Sequence, residues 1–356
     1  MVSNYDWNPG TSAMSCGAVP KSVTFSKDAL LEAYRRMIRI RRGEARIREI
    51  VVDEPGILHQ WVHSSEGEEA CCVGVAMAMR HGDIYSGDIL EGTHRSHGFP
   101  IAMGVDLNAW MAELFGKATG TNKGRGGTMH LADVGIGMIG SNSIVGTGVK
   151  AVGAAMAFRV RGTDQVGIAV TGDGGVNKGA FLEALNLAAI HDLPTVFVVI
   201  NNQYEVARSV DQDNANVRAG GQLSDRAAGF AVRGMTVDGN DFFAVFKAAK
   251  HCIDRARNGG GPSMLELLTY RHRSHCFTEM PHEVVWLLGR EEELSYWLQR
   301  DPIGRFELSV VKGEMVSEEE LAAISEAVEV EIEAAVEHAR QSPHPDPEMV
   351  YNDIYA

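Results

Sequence analysis

The sequence predicts an α/β fold in which helices flank a doubly wound, mostly parallel sheet. Two short apolar runs, at 166–170 and 195–200, are typical of strands that are buried on both faces. A helical pattern lies between them, and the three elements together have the length of a βαβ unit. The alternation continues with a strand over 230–237, a helix over 241–257 and a strand over 263–269. Such alternation favours a parallel sheet covered by helices.

Composition and charge exclude several classes of protein. Of the 356 residues, 45% are hydrophobic and 22% are charged, which is too apolar for a disordered chain. The net charge of −14 disfavours a broad surface for nucleic acid or an anionic membrane. No apolar run approaches the roughly 18 residues of a membrane span. The N-terminal residues also lack the basic lead and apolar core of a signal peptide.

The cysteines indicate reduced thiols. There are 5 of them, an odd number, and Cys71 and Cys72 are adjacent. Because no Cys-x-x-Cys pair is present, the pattern fits neither a disulfide framework nor a zinc site. We therefore expect a cytoplasmic protein.

The sequence divides into an irregular arm over 1–25, an α/β domain over 26–302 and a helical tail over 303–356. Ser26 is a suitable N-cap for a first helix, because a helical pattern of apolar residues follows it. A second helix is predicted to start near Glu66.

Two loops and one long helix complete this prediction. Ten of the 33 residues from Gly116 to Gly148 are glycine, which indicates a loop that approaches other groups closely or adopts positive φ. A second loop is expected over 205–222. Ser317 and Glu320 form a capping box that opens an acidic helix. We expect this helix to be a solvated face or an assembly surface.

Polar residues at the ends of the first two strands are the clearest chemical signal. Asp173 follows one apolar run and Asn202 follows the next. Adjacent parallel strands end at the same sheet edge, where α/β proteins bind ligands. Gly174 and Gly175 allow backbone amides to approach a phosphate, and the two polar side chains with a loop carbonyl suit Mg²⁺. The structural alternative is an N-capping Asp in a glycine turn and an Asn pair in a strand-exit turn.

Several matching stretches, in order along the chain, resemble one family. From about residue 26 to 302 the chain resembles the alpha subunit of the thiamin-diphosphate-dependent decarboxylating component of 2-oxo acid and acetoin dehydrogenase complexes. The acetoin branch is the more similar, because the pyruvate branch usually has Tyr where His94 stands. The stretches are 67–70 (GEEA), 93–98 (THRSHG), 124–130 (GRGGTMH), 144–146 (IVG), 171–177 (TGDGGVN) and 270–275 (YRHRSH).

The resemblance implies the thiamin-diphosphate-binding fold, with the cofactor and Mg²⁺ at the strand ends. It implies that Asp173, Asn202 and the carbonyl of Tyr204 hold the metal. The remaining implied contacts involve the other parts of the cofactor. They are Gly174, Gly175, His94, Arg95 and His275 at the diphosphate, backbone near Ser143 and Val145 at the aminopyrimidine, Val206 at the bend, and His63 at the reacting end.

The histidines have plainer alternatives. His94 and His275 also fit surface positions beside arginine, and His63 also fits a core position facing a helix. His130 either positions the glycine-rich loop or acts directly in catalysis. His97 and His272 are expected to support loops and not to touch the cofactor.

The resemblance also implies partners and a reaction. It implies cleavage of the C–C bond next to a carbonyl of a small 2-oxo acid or acyloin, with the acyl group passed to lipoamide on an acyltransferase. A beta subunit would complete the active site in a heterotetramer of two alpha and two beta chains. The alternative is a stand-alone decarboxylase or acyloin-forming carboligase. Ser96, Ser274 and Cys276 depart from the family pattern and leave the substrate open.

Overall fold

The computed structural model describes residues 24–58, 61–140, 146–276 and 289–352. Six of its strands form one sheet in the order β2-β1-β3-β4-β8-β7, and every neighbouring pair is parallel. The mostly parallel sheet that the sequence predicted is thus confirmed. The strands are β1 (Ile89–Glu91), β2 (Met138–Ile139), β3 (Gly167–Gly172), β4 (Thr195–Asn201), β5 (Tyr204–Glu205), β6 (Arg208–Ser209), β7 (Arg233–Asp238) and β8 (Ser263–Leu268).

Helices cover both faces of this sheet. The first begins at its predicted N-cap, where the Ser26 side chain accepts a hydrogen bond from the amide of Ala29. The helices are α1 (Lys27–Asp53), α2 (Glu69–Ala78), α3 (Gly98–Met103), α4 (Leu107–Leu114), α5 (Val149–Arg161), α6 (Gly179–Ile190), α7 (Val210–Asp213), α8 (Ala215–Arg218), α9 (Phe242–Arg257), α10 (Glu291–Leu298), α11 (Pro302–Lys312) and α12 (Glu318–Gln341).

Alternate residues of the central strands face two separate apolar layers. In β3, Ile168 packs in the layer that contains α1, α2 and α9, whereas Ala169 packs with α5 and α6. In β4, Val198 packs in the layer with α1, α2 and α9, and Phe197 packs with α5 and α6. Because both faces are covered, these strands are apolar throughout instead of alternating.

The segment 205–222, predicted as a loop, contains regular structure. It includes the second strand of the antiparallel β5–β6 hairpin and the short helices α7 and α8. Elements of two to four residues are too short to show a periodic pattern. The strand predicted over 230–237 begins later, at Arg233, because Leu223–Phe230 forms a 3₁₀ helix. The amide of Ser224 near its start donates to the buried Glu266 of β8 at 3.0 Å.

The acidic helix α12 has the predicted capping box of Ser317 and Glu320, but one face of it is buried. Leu321, Val328 and Ile332 pack in the same apolar layer as α1 and α4. Acidic residues outside this buried face also pair with arginines of α1. The ion pairs are Arg35 and Arg39 with Glu331, Arg42 with Glu329, and Arg46 with Glu333. One face of α12 therefore covers the core, and an assembly role for its acidic face stays a prediction.

No helix within the described residues is long and apolar enough to cross a membrane. The cysteines at 71, 72, 252 and 276 are free thiols, as the sequence indicated. The predicted arm over 1–25 lies outside the described residues except for its last two positions.

Candidate active site

The two polar strand ends line one cavity of about 190 Å³ at the carboxyl edge of the sheet. β3 and β4 are paired in register through Gly172 and Ile200, and Asp173 and Asn202, which follow one and two residues later, both line the cavity. Segments on either side of the strand ends and from other parts of the chain close the cavity around them. They contribute Glu68, Thr93, His94, Arg95, Tyr204, Glu205, Val206 and His275.

The carboxylate of Asp173 has one oxygen that makes no hydrogen bond with the described residues. Its Oδ1 accepts from the amide of Gly174 at 2.9 Å, whereas the buried Oδ2 has no such contact. Burial raises the pKa of Asp173 to about 6. Because a buried carboxylate oxygen is costly without a hydrogen bond or a cation, the site fits a metal ion at Oδ2.

Asn202 presents its carboxamide beside this carboxylate. Its Nδ2 donates to Oε1 of Glu68 at 2.8 Å, and its Oδ1 accepts from the amide of Tyr204 at 3.4 Å. Burial raises the pKa of Glu68 to about 7. The turn that follows β4 places Gln203 and Val206 at positive φ, with values of 74° and 52°. This turn directs the Tyr204 carbonyl to Nη1 of Arg271, which donates to it at 3.3 Å.

The space around Gly174 leaves no room for a side chain in this turn. A Cβ at this position would lie 2.5 Å from the side chain of Glu205, which also lines the cavity. Gly175 lines the cavity beside it and opens a short 3₁₀ helix. Both predicted phosphate-binding glycines are therefore at the cavity wall.

His94, Arg95 and His275 form another part of the cavity wall, and His63 and Arg271 contact these residues without lining the cavity themselves. The rings of His94 and His275 lie 4.4 Å and 4.8 Å from the ring of His63, centroid to centroid. Arg95 donates to Nδ1 of His275 at 3.3 Å and to its carbonyl at 3.0 Å, and Nη1 of Arg271 lies 3.4 Å from the same Nδ1. With two guanidinium donors facing Nδ1, the proton of a neutral His275 is on Nε2.

Burial and these arginines keep two of the imidazoles neutral. Burial, Arg95 and Arg271 lower the pKa of His275 to about 2, and burial and Arg95 hold the pKa of His63 far below its usual value. Ring nitrogens of His63, His94 and His275 lie within 4.8 Å of one another, as in some metal sites. The adjacent positive charges of Arg95 and Arg271 favour an anion here over a metal ion.

A buried carboxylate behind this wall joins the loops that carry it. Glu44 on α1 accepts from the amide of Ser65 at 2.8 Å, and its other oxygen lies 3.4 Å from Nδ1 of His97. Nε2 of His97 is 2.6 Å from the carbonyl of Thr128 in the glycine-rich loop. The hydroxyl of Ser65 donates to the carbonyl of Arg95 at 2.7 Å. Glu44 thereby sets the relative positions of three loops.

A second buried carboxylate holds the glycine-rich loop. The two oxygens of Glu113 on α4 accept from four backbone amides at 2.7–3.0 Å. The donors are Asn122, Gly124, Gly126 and Gly127. This arrangement makes a loop of small residues rigid without an apolar core of its own.

Some predicted site residues lie away from the cavity. His130 is exposed, and its carbonyl accepts from Nδ2 of Asn122 at 2.8 Å. His272, which was expected to support a loop and not to touch the cofactor, is buried with its Nδ1 4.0 Å from Asp301, and burial lowers its pKa to about 4. Ser143 and Val145 lie outside the described residues.

Glu68 and Arg271 were not predicted as site residues. Both lie inside stretches that carried the family resemblance, at 67–70 and 270–275, yet neither was given a role. No local pattern marked them, since Glu68 stands between Gly67 and Glu69, and Arg271 between Tyr270 and His272. Arg271 is 1% exposed, and burial lowers its pKa.

The cavity lies at the edge of the sheet and combines cationic groups with a carboxylate oxygen that makes no hydrogen bond with the described residues. Such a site is typical of an α/β enzyme that binds a phosphorylated cofactor with a metal. The family model for the dehydrogenase E1 component matches residues 35–348, and the chain belongs to this family. Its members are thiamin-diphosphate-dependent oxidoreductase components, so the predicted family, fold and enzyme class are confirmed.

The relatives agree with this assignment. The chain is 41% identical to the alpha subunit of acetoin:2,6-dichlorophenolindophenol oxidoreductase from Cupriavidus necator, over 94% of this chain and 96% of that protein. It is 38% identical to the protein of the same name from Bacillus subtilis, with the same coverage. It is 34% identical to the alpha subunit of the pyruvate dehydrogenase E1 component from Rhizobium meliloti, over 93% and 91% of the two chains.

The four amides on Glu113 lead to a prediction about the glycine-rich loop. Glu113→Gln replaces one accepting oxygen by an NH₂ group, which leaves two buried amides unpaired. We expect a loss of roughly 1.5–3 kcal/mol of unfolding free energy and faster hydrogen exchange over 120–128. Glu326→Gln, an exposed change on α12, is the control. Unchanged exchange in the Glu113 variant would contradict this role.

Proposed function

We propose that this chain is the alpha subunit of a thiamin-diphosphate- and Mg²⁺-dependent dehydrogenase that cleaves the C–C bond next to a carbonyl. The observation that carries the proposal is the buried Oδ2 of Asp173, which makes no hydrogen bond with the described residues and shares its cavity with Arg95 and His275. A cation bound at Asp173 would compensate its carboxylate, and a diphosphate bound at Arg95 would compensate the guanidinium. The cation and the diphosphate would also compensate each other.

The cation end of the cavity has the donors that Mg²⁺ prefers. Asp173 offers a carboxylate oxygen and Asn202 an amide oxygen, and the backbone carbonyl of Tyr204, which also accepts from Nη1 of Arg271 at 3.3 Å, is the third proposed ligand. Oxygens of the diphosphate and water would complete an octahedral shell. Gly174 and Gly175 line the same cavity; the amide of Gly174 donates to Oδ1 of Asp173, and the amide of Gly175 is proposed to donate to the phosphate oxygens.

The cationic wall suits the diphosphate and the reacting carbonyl group. Arg95 supplies a planar fork of donors for phosphate oxygens, and His94 lies next to it in the cavity wall. When bound, thiamin diphosphate supplies the carbon nucleophile and the electron sink for the reaction. Val206, whose carbonyl accepts from Arg271 at 2.7 Å, is proposed to support the bend of the cofactor.

Two neutral imidazoles are proposed to donate or accept protons during the reaction. The Nε2–H of His275 would donate to a developing alkoxide, because its Nδ1 faces the arginines. The buried Nδ1 of His63 makes no hydrogen bond with the described residues and would accept or donate at the substrate oxygen. His130 is proposed to position the glycine-rich loop, since its carbonyl holds Asn122. Backbone near Ser143 and Val145 stays assigned to the aminopyrimidine.

Small acyloins and 2-oxo acids are the proposed substrates, with an acyloin such as acetoin preferred. The support is the higher identity to the two acetoin oxidoreductase subunits than to the pyruvate dehydrogenase subunit. We also propose that the acyl group passes to lipoamide on a partner acyltransferase. The stand-alone decarboxylase or carboligase is not favoured, because these relatives match along nearly their whole length.

A beta subunit is the proposed source of one missing catalytic group. Thiamin catalysis needs a carboxyl group at the aminopyrimidine. Among the described residues that line the cavity, the carboxyl groups belong to Glu68, Asp173 and Glu205, all near the predicted metal. The relatives are named as alpha subunits, which supports a second kind of chain and a heterotetramer of two alpha and two beta chains.

The exposed face of α5 and α6 is the surface we assign to this partner. Val160, Leu187 and Ile190 are 84%, 40% and 66% exposed there. The small residues Ala184 and Ala188 of α6 pack in the chain's own core and are not part of this face. Exposed apolar side chains on neighbouring helices are typical of a protein interface.

Asp173 provides the first test. Asp173→Asn removes the charged ligand, so the diphosphate would meet an unneutralised site. We expect the affinity for thiamin diphosphate with Mg²⁺ to fall by at least roughly tenfold, measured by calorimetry. Asp211→Asn, an acidic change outside the cavity, is the control. Cofactor binding at the wild-type affinity in the Asp173→Asn variant would show that the metal assignment is wrong.

The two histidines of the stretch 270–275 are expected to differ in their effect on cofactor binding. His275→Ala removes a group of the cavity wall, and Arg95→Ala removes the adjacent charge, so both should weaken cofactor binding. His272→Ala should weaken it much less, because His272 lies beside Asp301 and not in the cavity. Equal losses for His272 and His275 would refute this placement.

The activity of the isolated chain tests whether the catalytic site is shared with a beta subunit. We expect no turnover of acetoin or 2-oxo acids with thiamin diphosphate, Mg²⁺ and an artificial electron acceptor until the beta subunit is added. Full activity of the isolated chain would overturn the divided site. Ile190→Arg on α6 should weaken assembly, whereas Val330→Arg, a 71% exposed position on α12, should not. Assembly that is unaffected by Ile190→Arg would place the partner elsewhere.

A further inference from the structure

Two neighbouring asparagines at the end of β4 are each held by a buried glutamate, but in different ways. Nδ2 of Asn201 donates to Oε1 of Glu266 at 2.7 Å, and Nδ2 of Asn202 donates to Oε1 of Glu68 at 2.8 Å. Glu266 is 0% exposed and Glu68 is 2% exposed. The pairing is the same, and the difference lies in what the two amide oxygens face.

The oxygen of Asn201 is used inside the protein. It accepts from the amide of Gln203 at 3.2 Å and from Nε2 of the same residue at 3.0 Å. Asn201 does not line the cavity. Its carboxamide therefore shapes the turn that follows β4 and offers nothing to a ligand.

The oxygen of Asn202 is left largely available on the cavity side. Its hydrogen bond from the amide of Tyr204 is long, at 3.4 Å, and Asn202 lines the cavity together with Asp173. A carboxamide has a hydrogen-bond acceptor at one end and a donor at the other. Only the oxygen end can bind a cation, and a reversed amide would point two hydrogens at it.

We propose that Glu68 is a positioning residue that fixes the carboxamide of Asn202 with its oxygen toward the cation. The Glu68 carboxylate accepts from the NH₂ end, and the amide of Tyr204 donates to the oxygen end, so both contacts select one orientation. Glu68 is itself held at the start of α2, in a fully buried position. This inference rests on the proposed function, because it takes Asn202 as a metal ligand.

Orientation can be separated from simple charge attraction by two substitutions. Glu68→Gln removes the charge but keeps an oxygen that accepts from Nδ2 of Asn202. Glu68→Met removes both the charge and the acceptor at similar volume, which lets the amide rotate. If charge attraction were the role, Gln and Met would weaken metal binding equally. Orientation predicts that only Met does so.

The experiment titrates Mn²⁺ in the presence of thiamin diphosphate and follows free Mn²⁺ by electron paramagnetic resonance, using the chain together with its beta subunit. We expect roughly 10- to 100-fold weaker Mn²⁺ binding for Glu68→Met, the usual effect of losing a residue that orients a metal ligand. Glu68→Gln should stay within about threefold of wild type. Glu69→Gln is the matched control, because Glu69 is equally buried but pairs with Arg41 outside the cavity.

A rescue makes the test specific. Asn202→Asp places an oxygen at both ends of the side chain, so orientation no longer matters. Added to Glu68→Met, it should restore most of the lost Mn²⁺ affinity, which a merely structural role of Glu68 would not predict. If Glu68→Met does not fold, the exchange of Glu68→Gln with Asn202→Asp replaces it. That pair reverses the hydrogen bond, keeps an oxygen toward the cation and should bind Mn²⁺ within about threefold of wild type.

Several outcomes would overturn the inference. Wild-type Mn²⁺ affinity in Glu68→Met, equal losses in the Gln and Met variants, or a loss above tenfold in the exchanged pair would each do so. Failure of the proposed function has a different signature. In that case the wild-type protein itself would show no binding of Mn²⁺ that depends on thiamin diphosphate.

Discussion

The parallel pairing of β3 with β4 is the constraint on which the site depends. Their register, Gly172 opposite Ile200, brings two segments that are far apart in sequence to one edge of the sheet. Asp173 and Asn202 continue from these strands into the same cavity. The apolar layers on both sides of the sheet hold this register, because a slip by one residue would turn each strand's side chains into the wrong layer.

Buried charges surround this edge and balance one another. Arg95 and Arg271 are almost inaccessible to solvent, as are Asp173 and Glu68 across the cavity. A charge in such surroundings is costly unless an opposite charge or hydrogen bonds compensate it. The proposed cofactor and metal would supply a matched anion and cation. Glu44 and Glu113, by contrast, are compensated within the protein by backbone amides, and they hold the loops in place.

The parts of the structure that follow from local patterns could be predicted from the sequence. Ser26 and the Ser317–Glu320 box mark helix starts because capping depends on a few adjacent residues. The burial of α12 could not be derived in this way, since its acidic residues pair with arginines of α1 nearly 300 positions away. For the same reason Glu68 and Arg271 were found only when the chain was folded. Their roles come from contacts with residues distant in sequence.

The central claim is that a cation binds between the ends of β3 and β4 and a diphosphate binds against Arg95 and His275. Crystals grown with thiamin diphosphate and Mn²⁺ and measured at the manganese absorption edge test it most directly. We expect an anomalous peak within coordination distance of Asp173 and Asn202, with phosphate density extending toward Arg95. A peak among His63, His94 and His275, or no peak in the cavity while the cofactor is bound, would contradict it.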